Sequence, residues 1–156
     1  MTVKKTLVLV FALSLLCASQ NAMAESAQEF TLQSMNNVNF DLGSFKNSKP
    51  VLLMFWTTWC PYCRQGLKEI NKVYSQLSGE GLKVVLINIG EQQAKVSNFL
   101  KANGYSFDVY LDKDSRVAKM YGLVGIPTYI LVDKKGEIRF SDNYFPGKEY
   151  KPLLSE

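Results

Sequence analysis

The chain has 156 residues, 18 Lys and Arg against 14 Asp and Glu (net +4), three cysteines and no histidine. The lack of histidine excludes a Cys–His nucleophile pair and any histidine-bearing zinc site. The near-balanced charge, without a Lys/Arg run, leaves no footprint for nucleic acid or an acidic membrane surface as partner, and three cysteines are too few for a structural disulfide framework.

Residues 1–24 read as a signal peptide. Lys4 and Lys5 precede an apolar run over 7–18, and Ala22-Met23-Ala24 supplies a small-x-small pattern with cleavage expected after Ala24. The run is short for a membrane span. Acylation of Cys17 is the alternative, disfavoured by the large Leu16 before it. Removing the 24 residues leaves 132, a single domain over 25–156 with net charge +2, since the leader carries two lysines and no acid. Cys60 and Cys63 are then the sole thiols, and the expected location is the periplasm, an oxidising compartment.

From 25 to 48 the chain is polar, with extended candidates at 30–32 and 38–40 forming a hairpin or strand addition; Leu42 and Phe45 are expected to pack on the core. Pro50 introduces a buried strand over 51–56. Thr57-Thr58-Trp59 leads into Cys60-Pro61-Tyr62-Cys63, and from Pro61 onward Leu67, Ile70, Tyr74 and Leu77 recur at helical spacing up to a stop at 79–81. A second β-branched strand covers 82–89, and a helix follows over 92–102 with Val96, Phe99 and Leu100 on one face. A strand at 107–111 precedes a short helix at 115–121, capped by Asp114 or Ser115. The strand at 128–132 turns at Asp133-Lys134-Lys135-Gly136 into a partner strand at 137–140, and a short helix, interrupted by Pro152, covers 147–155. Helix crossovers joining the early strands and a hairpin at the end predict a three-layer α/β/α sandwich around a mixed sheet.

The first cysteine falls at a helix N-terminus, where unpaired N–H groups and the helix dipole favour a thiolate. A two-residue gap returns the second sulfur to the first, so a disulfide can open and close there. Phe55-Trp56-Thr57-Thr58-Trp59-Cys60-Pro61-Tyr62-Cys63-Arg64, the strand 84–89 with Gly90, the stretch 122–124 and Gly125-Ile126-Pro127-Thr128 together resemble the thioredoxin-fold proteins, in particular the TlpA/ResA-like extracytoplasmic thiol-disulfide oxidoreductases. The resemblance covers about 30–140. It implies a thioredoxin-like fold with an N-terminal β addition and a helix–strand insert over 91–111. It also implies a cis Ile126–Pro127 bond lying against the cysteines, whose backbone pairs with the substrate segment. By the same resemblance the partners are proteins with cysteine pairs and a membrane protein presenting a dithiol donor. The favoured direction is reduction, haem-attachment cysteines are a natural substrate class, and no cofactor or metal is needed. Three positions depart from the family: Met54 replaces the thioredoxin aspartate, Gly66 the ResA-like glutamate, and Lys68 the helix proline.

Cys60 reads as the attacking thiolate, exposed at the helix end with a pKa below the free value of about 8.5. Cys63, one turn inside, reads as the buried resolving thiol. A static disulfide stapling the helix end is the bland alternative. Pro61 and Tyr62 tune the site, Trp59 borders the substrate surface with Ile126 and Pro127, and Trp56 belongs to the core. Arg64 either favours the thiolate or meets an acidic partner, or is simply solvated. Tyr121 and Tyr129 read as core aromatics. Two other functions stay open. Thr57-x-x-Cys60 matches a peroxiredoxin-like thiol peroxidase, although Cys63 and Leu53 do not suit it. Soft sulfur ligands suit a copper(I) carrier, although the related chaperones use CxxxC and a histidine. A monomer is expected.

Overall fold

The computed structural model describes residues 25–155; the expected signal peptide, its cleavage site and Cys17 lie outside them. In chain order the described elements are β1 (Thr31–Gln33), β2 (Asn39–Asp41), a 3-10 turn at Leu42–Phe45, β3 (Val51–Trp56), α1 (Pro61–Gly79), β4 (Lys83–Ile89), α2 (Gln93–Ala102), β5 (Val109–Asp112), α3 (Arg116–Met120), β6 (Thr128–Val132), β7 (Ile138–Asp142) and α4 (Lys151–Ser155). No helix among the described residues is long and apolar enough to cross a membrane.

The sheet order is β5-β4-β3-β6-β7. β4 runs parallel to β3 and to β5, whereas β6 runs antiparallel to β3 and to β7, so the sheet is mixed as expected. β3 is central because all six of its side chains are buried, and a strand covered on both faces reads as an unbroken apolar run. Its alternation feeds two cores. Leu52, Met54 and Trp56 pack with Leu67, Ile70 and Leu77 of α1, Val96 and Leu100 of α2 and Leu153 of α4. Leu53 and Phe55 pack with Phe30, Leu32, Phe40, Leu42 and, from α3, Val117. Full burial of each such side chain is worth about 1.5–3 kcal/mol. The second outer layer is thus α3 together with the β1–β2 hairpin, so this face of the α/β/α sandwich is only partly helical.

The N-terminal segment forms its own two-stranded sheet and straddles this face. Glu25 O accepts from Ile138 N–H at 2.7 Å, and Ala27 N–H donates to Gly136 O at 2.8 Å. Eight residues after Ala27, Met35 N–H donates to Val109 O at 3.0 Å, at the far edge of the sheet. Ser26 bridges Glu137, and Ser34 bridges Tyr110.

Local signals place most boundaries. Pro61 at the first helical position has no N–H to waste, and Gly81 takes φ +95° just past α1, where a side chain would strain the backbone. Gly136 takes φ +83° in the β6–β7 turn. Three expectations need correction. The strand expected from 107 begins at Val109, because Phe107 stacks on Tyr105 at 5.0 Å instead. Ser115 has φ +57° and makes no side-chain cap. The Asp114 side chain takes one first-turn N–H, that of Arg116, while Asp112, at the end of β5, accepts from Val117 and Ala118 N–H at 3.1 and 2.9 Å. The terminal helix is confined to Lys151–Ser155, with Pro152 in its first turn, where the missing N–H costs nothing.

Candidate functional site

The apolar run of β3 ends at Trp56, and the chain leaves the sheet through Thr57, Thr58 and Trp59 before α1 starts. Cys60 sits at the N-cap of that helix with extended backbone (φ −80°, ψ 117°), so its sulfur faces the free N–H groups of the first turn. Cys63 N–H points at the Cys60 sulfur at 3.1 Å. Cys60 and Cys63 are joined in a disulfide, with Cα atoms 5.2 Å apart. Cys63 is fully buried, as expected. Cys60 is not the exposed residue that its helix-end position suggested: only 4 % of it is accessible. The cause is the loop before β6, which folds over the helix end and brings the Ile126 carbonyl oxygen to 3.7 Å from the Cys60 sulfur.

That loop carries the Ile126–Pro127 bond, which is cis, as the resemblance implied. It is braced on both sides. Thr128 Oγ1 donates to Gly125 O at 2.7 Å, and Asn143 Nδ2 donates to Pro127 O at 2.6 Å. Sequence reasoning missed Asn143, which lies beyond β7 in a polar stretch with no pattern of its own.

Two hollows flank the disulfide. A groove of ≈ 540 Å³ is lined by Trp59, Ile126, Val124, Glu91, Lys95 and Lys119, among others. A smaller one of ≈ 180 Å³ is lined by Tyr62, Gly66, Glu69, Pro127, Tyr129 and Tyr144, among others. Trp59 is 62 % exposed, whereas Trp56 is buried in the core as expected. Among the described residues five large apolar or aromatic side chains are exposed, and four of them, Trp59, Tyr62, Val124 and Tyr144, line these hollows or border the dithiol. Exposed apolar side chains gathered in this way are the usual mark of a surface that meets another molecule. Val124 and Tyr144 were not singled out from the sequence; a valine and a tyrosine in loops carry no signal until the loops are placed together.

The structure therefore brings Cys60, Cys63, Trp59, Pro61, Tyr62, Ile126 and Pro127 close to one another around the disulfide. Arg64, which could favour the thiolate, meet an acidic partner or be solvated, braces the backbone ahead of the dithiol. Its Nε donates to Thr58 O at 2.8 Å, and its guanidinium lies 5.8 Å above the Phe99 ring. Met54 and Gly66 bring no carboxylate, and the Tyr129 hydroxyl reaches the space beside Gly66. Burial first, and the nearby charge of Glu69 second, push the Tyr129 phenol well above its ordinary pKa. Among the described residues no group of three His, Cys, Asp or Glu side chains is arranged to hold a metal.

Known proteins resemble the chain in both sequence and structure. It is 33 % identical over 112 residues to the thiol-disulfide oxidoreductase ResA of Bacillus subtilis, covering 72 % of this chain and 62 % of that relative. A ResA of Bacillus thuringiensis subsp. konkukian is 30 % identical over 116 residues, 74 % of this chain and 66 % of that one, so the chain spans just under two thirds of these relatives' length. The structure superposes on StoA from Bacillus subtilis with a TM-score of 0.69 at 29 % identity, covering 83 % of this chain and 97 % of that one. A thiol:disulfide interchange protein of the thioredoxin family from Chlorobium tepidum gives 0.71 at 25 %, covering 84 % and 97 %. The fold is thioredoxin-like, and, with the AhpC/TSA pattern matching residues 23–141, the chain belongs to the AhpC/TSA family.

Proposed function

We propose that this chain is an exported thiol-disulfide oxidoreductase that exchanges its Cys60–Cys63 dithiol and disulfide with cysteine pairs of partner proteins. The observation that carries the reading is a disulfide at a helix N-terminus, its outer sulfur against the Ile126 carbonyl and its surroundings lined by exposed Trp59, Tyr62, Val124 and Tyr144. The related ResA, StoA and interchange proteins support it.

In the reduced state the Cys60 thiolate, facing Cys63 N–H, attacks one sulfur of a partner disulfide. A Cys60–partner bond forms, and the partner's other sulfur leaves as a thiolate. Cys63 then gives up its proton and attacks the Cys60 sulfur, which closes the intramolecular disulfide and releases the second partner thiolate. Two electrons pass to the partner. Regeneration needs a dithiol donor, and a membrane protein is the natural source for an exported domain. Cys63 is fully buried, whereas Cys60 keeps a 4 % accessible edge at the surface, so attack in either direction is assigned to Cys60. Trp59, Pro61, Tyr62, Ile126 and Pro127 form the docking face, with the loop backbone leading into the cis Ile126–Pro127 bond receiving the partner strand. The favoured direction is reduction, with haem-attachment cysteines as a substrate class; removal of 1–24 after Ala24 and a periplasmic monomer complete the reading. A peroxidase reading draws on the Thr57–Cys60 spacing and the family match, but a resolving cysteine three residues on suits dithiol exchange better.

The test is trapping in an extract of the exported fraction. Cys63→Ser is expected to accumulate a mixed disulfide on Cys60 that reductant releases, and Cys60→Ser to trap nothing. Equal trapping by both variants, or by neither, overturns the assignment. A couple titrating near about −270 mV supports a reductase, and one near about −120 mV an oxidant.

A further inference from the structure

Glu91 takes no part in the exchange chemistry, yet its carboxylate is among the most heavily contacted polar groups of the fold. The residue is 8 % exposed, and four donors meet it: Thr58 N–H at 2.7 Å, Thr58 Oγ1 at 2.7 Å, Asn88 Nδ2 at 2.8 Å and Lys95 Nζ at 2.7 Å. The two Thr58 bonds tie the end of β4 to the loop that carries Trp59 and Cys60. Thr58's remaining polar group, its carbonyl, accepts from Arg64 Nε at 2.8 Å. Every polar group of Thr58 is therefore held, from β4's end on one side and from α1 on the other, two residues ahead of the outer sulfur. Burial would push the Glu91 carboxyl up, but hydrogen bonds from Asn88, Lys95 and Thr58 outweigh it and hold the group below its ordinary range. It is an anion at neutral pH, balanced by Lys95 of α2, with Lys119 of α3 on the far wall of the groove.

We propose that Glu91 is a positioning residue for the dithiol: through Thr58 it fixes the loop that keeps Cys60 on the helix N-terminus, facing Cys63 N–H, and Trp59 on the groove wall beside Ile126. The proposal rests on the exchange reading for its purpose and on the Glu91–Thr58 clamp for its geometry. Glutamine at 91 keeps an oxygen for Thr58 N–H, and its amide can donate to Thr58 Oγ1, which also accepts. It removes the charge and keeps the clamp, whereas alanine removes both.

The experiment measures Cys60 alkylation by iodoacetamide against pH in the reduced full-length protein, with Trp59 emission and thermal melting alongside. In Glu91→Ala the midpoint is expected to move up toward that of a free thiol, so that alkylation at pH 7 slows roughly threefold or more. In Glu91→Gln the wild-type midpoint is expected to be kept. Thr58→Val, which deletes only the hydroxyl leg, is expected to shift it the same way by less, and it decides the matter should the alanine variant not fold. A lowered melting point with an unmoved alkylation midpoint in these variants overturns the proposal, as does a downward shift shared by Ala and Gln, which would reveal charge rather than position. Exchange with a test disulfide is followed in parallel. A wild-type protein inert in that assay sinks the exchange reading, while the alkylation series still decides the clamp.

Discussion

Glycine inside a helix ordinarily costs about 0.5–1 kcal/mol relative to alanine, yet Gly66 sits on the buried face of α1. The reason lies across the core. A Cβ there would run into the Tyr129 hydroxyl and come within 3.1 Å of Met54 Cε. Met54 and Tyr129 are register partners on β3 and β6, so residues 54, 66 and 129 are filled as one unit. Both positions where the resemblance looks for a carboxylate are thereby closed by a thioether and a phenol. Gly66→Ala is expected to destabilise, because overpacking costs about 1–3 kcal/mol and outweighs the helix gain. Tyr129→Phe in the same background deletes the colliding oxygen and should recover most of the loss in urea unfolding. A Gly66→Ala protein as stable as the wild type would mean that α1 shifts freely away from the sheet. The missing acids were legible in the sequence. The phenol that takes up the space was not, because it arrives from a distant strand through pairing. Glu91 escaped notice for a related reason: an acid after a strand looks solvated until the loop it clamps is in place.

Elements built on apolar runs with clear punctuation were legible: 51–56 and 128–132 are the observed strands, and α1 starts at Pro61 and ends at Gly79, within the expected stop at 79–81. Short elements set by a single capping side chain were not. The 3-10 turn at Leu42–Phe45 is set by Asp41, whose side chain accepts from Gly43 N–H, and α3 is a five-residue helix whose cap comes from β5. Because α3 leads directly into the loop that presents Ile126, Asp112 links the edge of the sheet to the reactive face. Asp112→Ala is expected to cost about 0.5–2 kcal/mol, the range for a lost helix cap. Amide exchange should accelerate at Val117 and Ala118 while β3 and β4 stay protected. Uniform acceleration throughout the sheet would show instead that Asp112 supports the whole fold rather than one helix.

At the scale of the molecule, the face opposite α1 is closed by a segment that the sequence marked as polar, with a hairpin or strand addition. Phe30 and Leu32 were legible as extended residues, but not that the segment around them crosses from one edge of the sheet to the other. Phe30 packs 5.7 Å from Phe40 and 5.9 Å from Tyr121, centroid to centroid. Deleting 25–36 removes those two side chains, at about 1.5–3 kcal/mol each, and uncovers Leu53, Phe55 and Ile87. The shortened protein is expected to elute earlier than the intact one in size-exclusion chromatography; unchanged elution with wild-type stability would deny this segment any structural part. The same twelve residues engage the outer backbone of β7 near Glu137 and of β5 near Tyr110. Their loss would unmask complementary hydrogen-bonding rims at both ends of one slab. Copies so altered can add head to tail without limit, and growth into filaments, rather than discrete pairs, is the form their self-assembly should take.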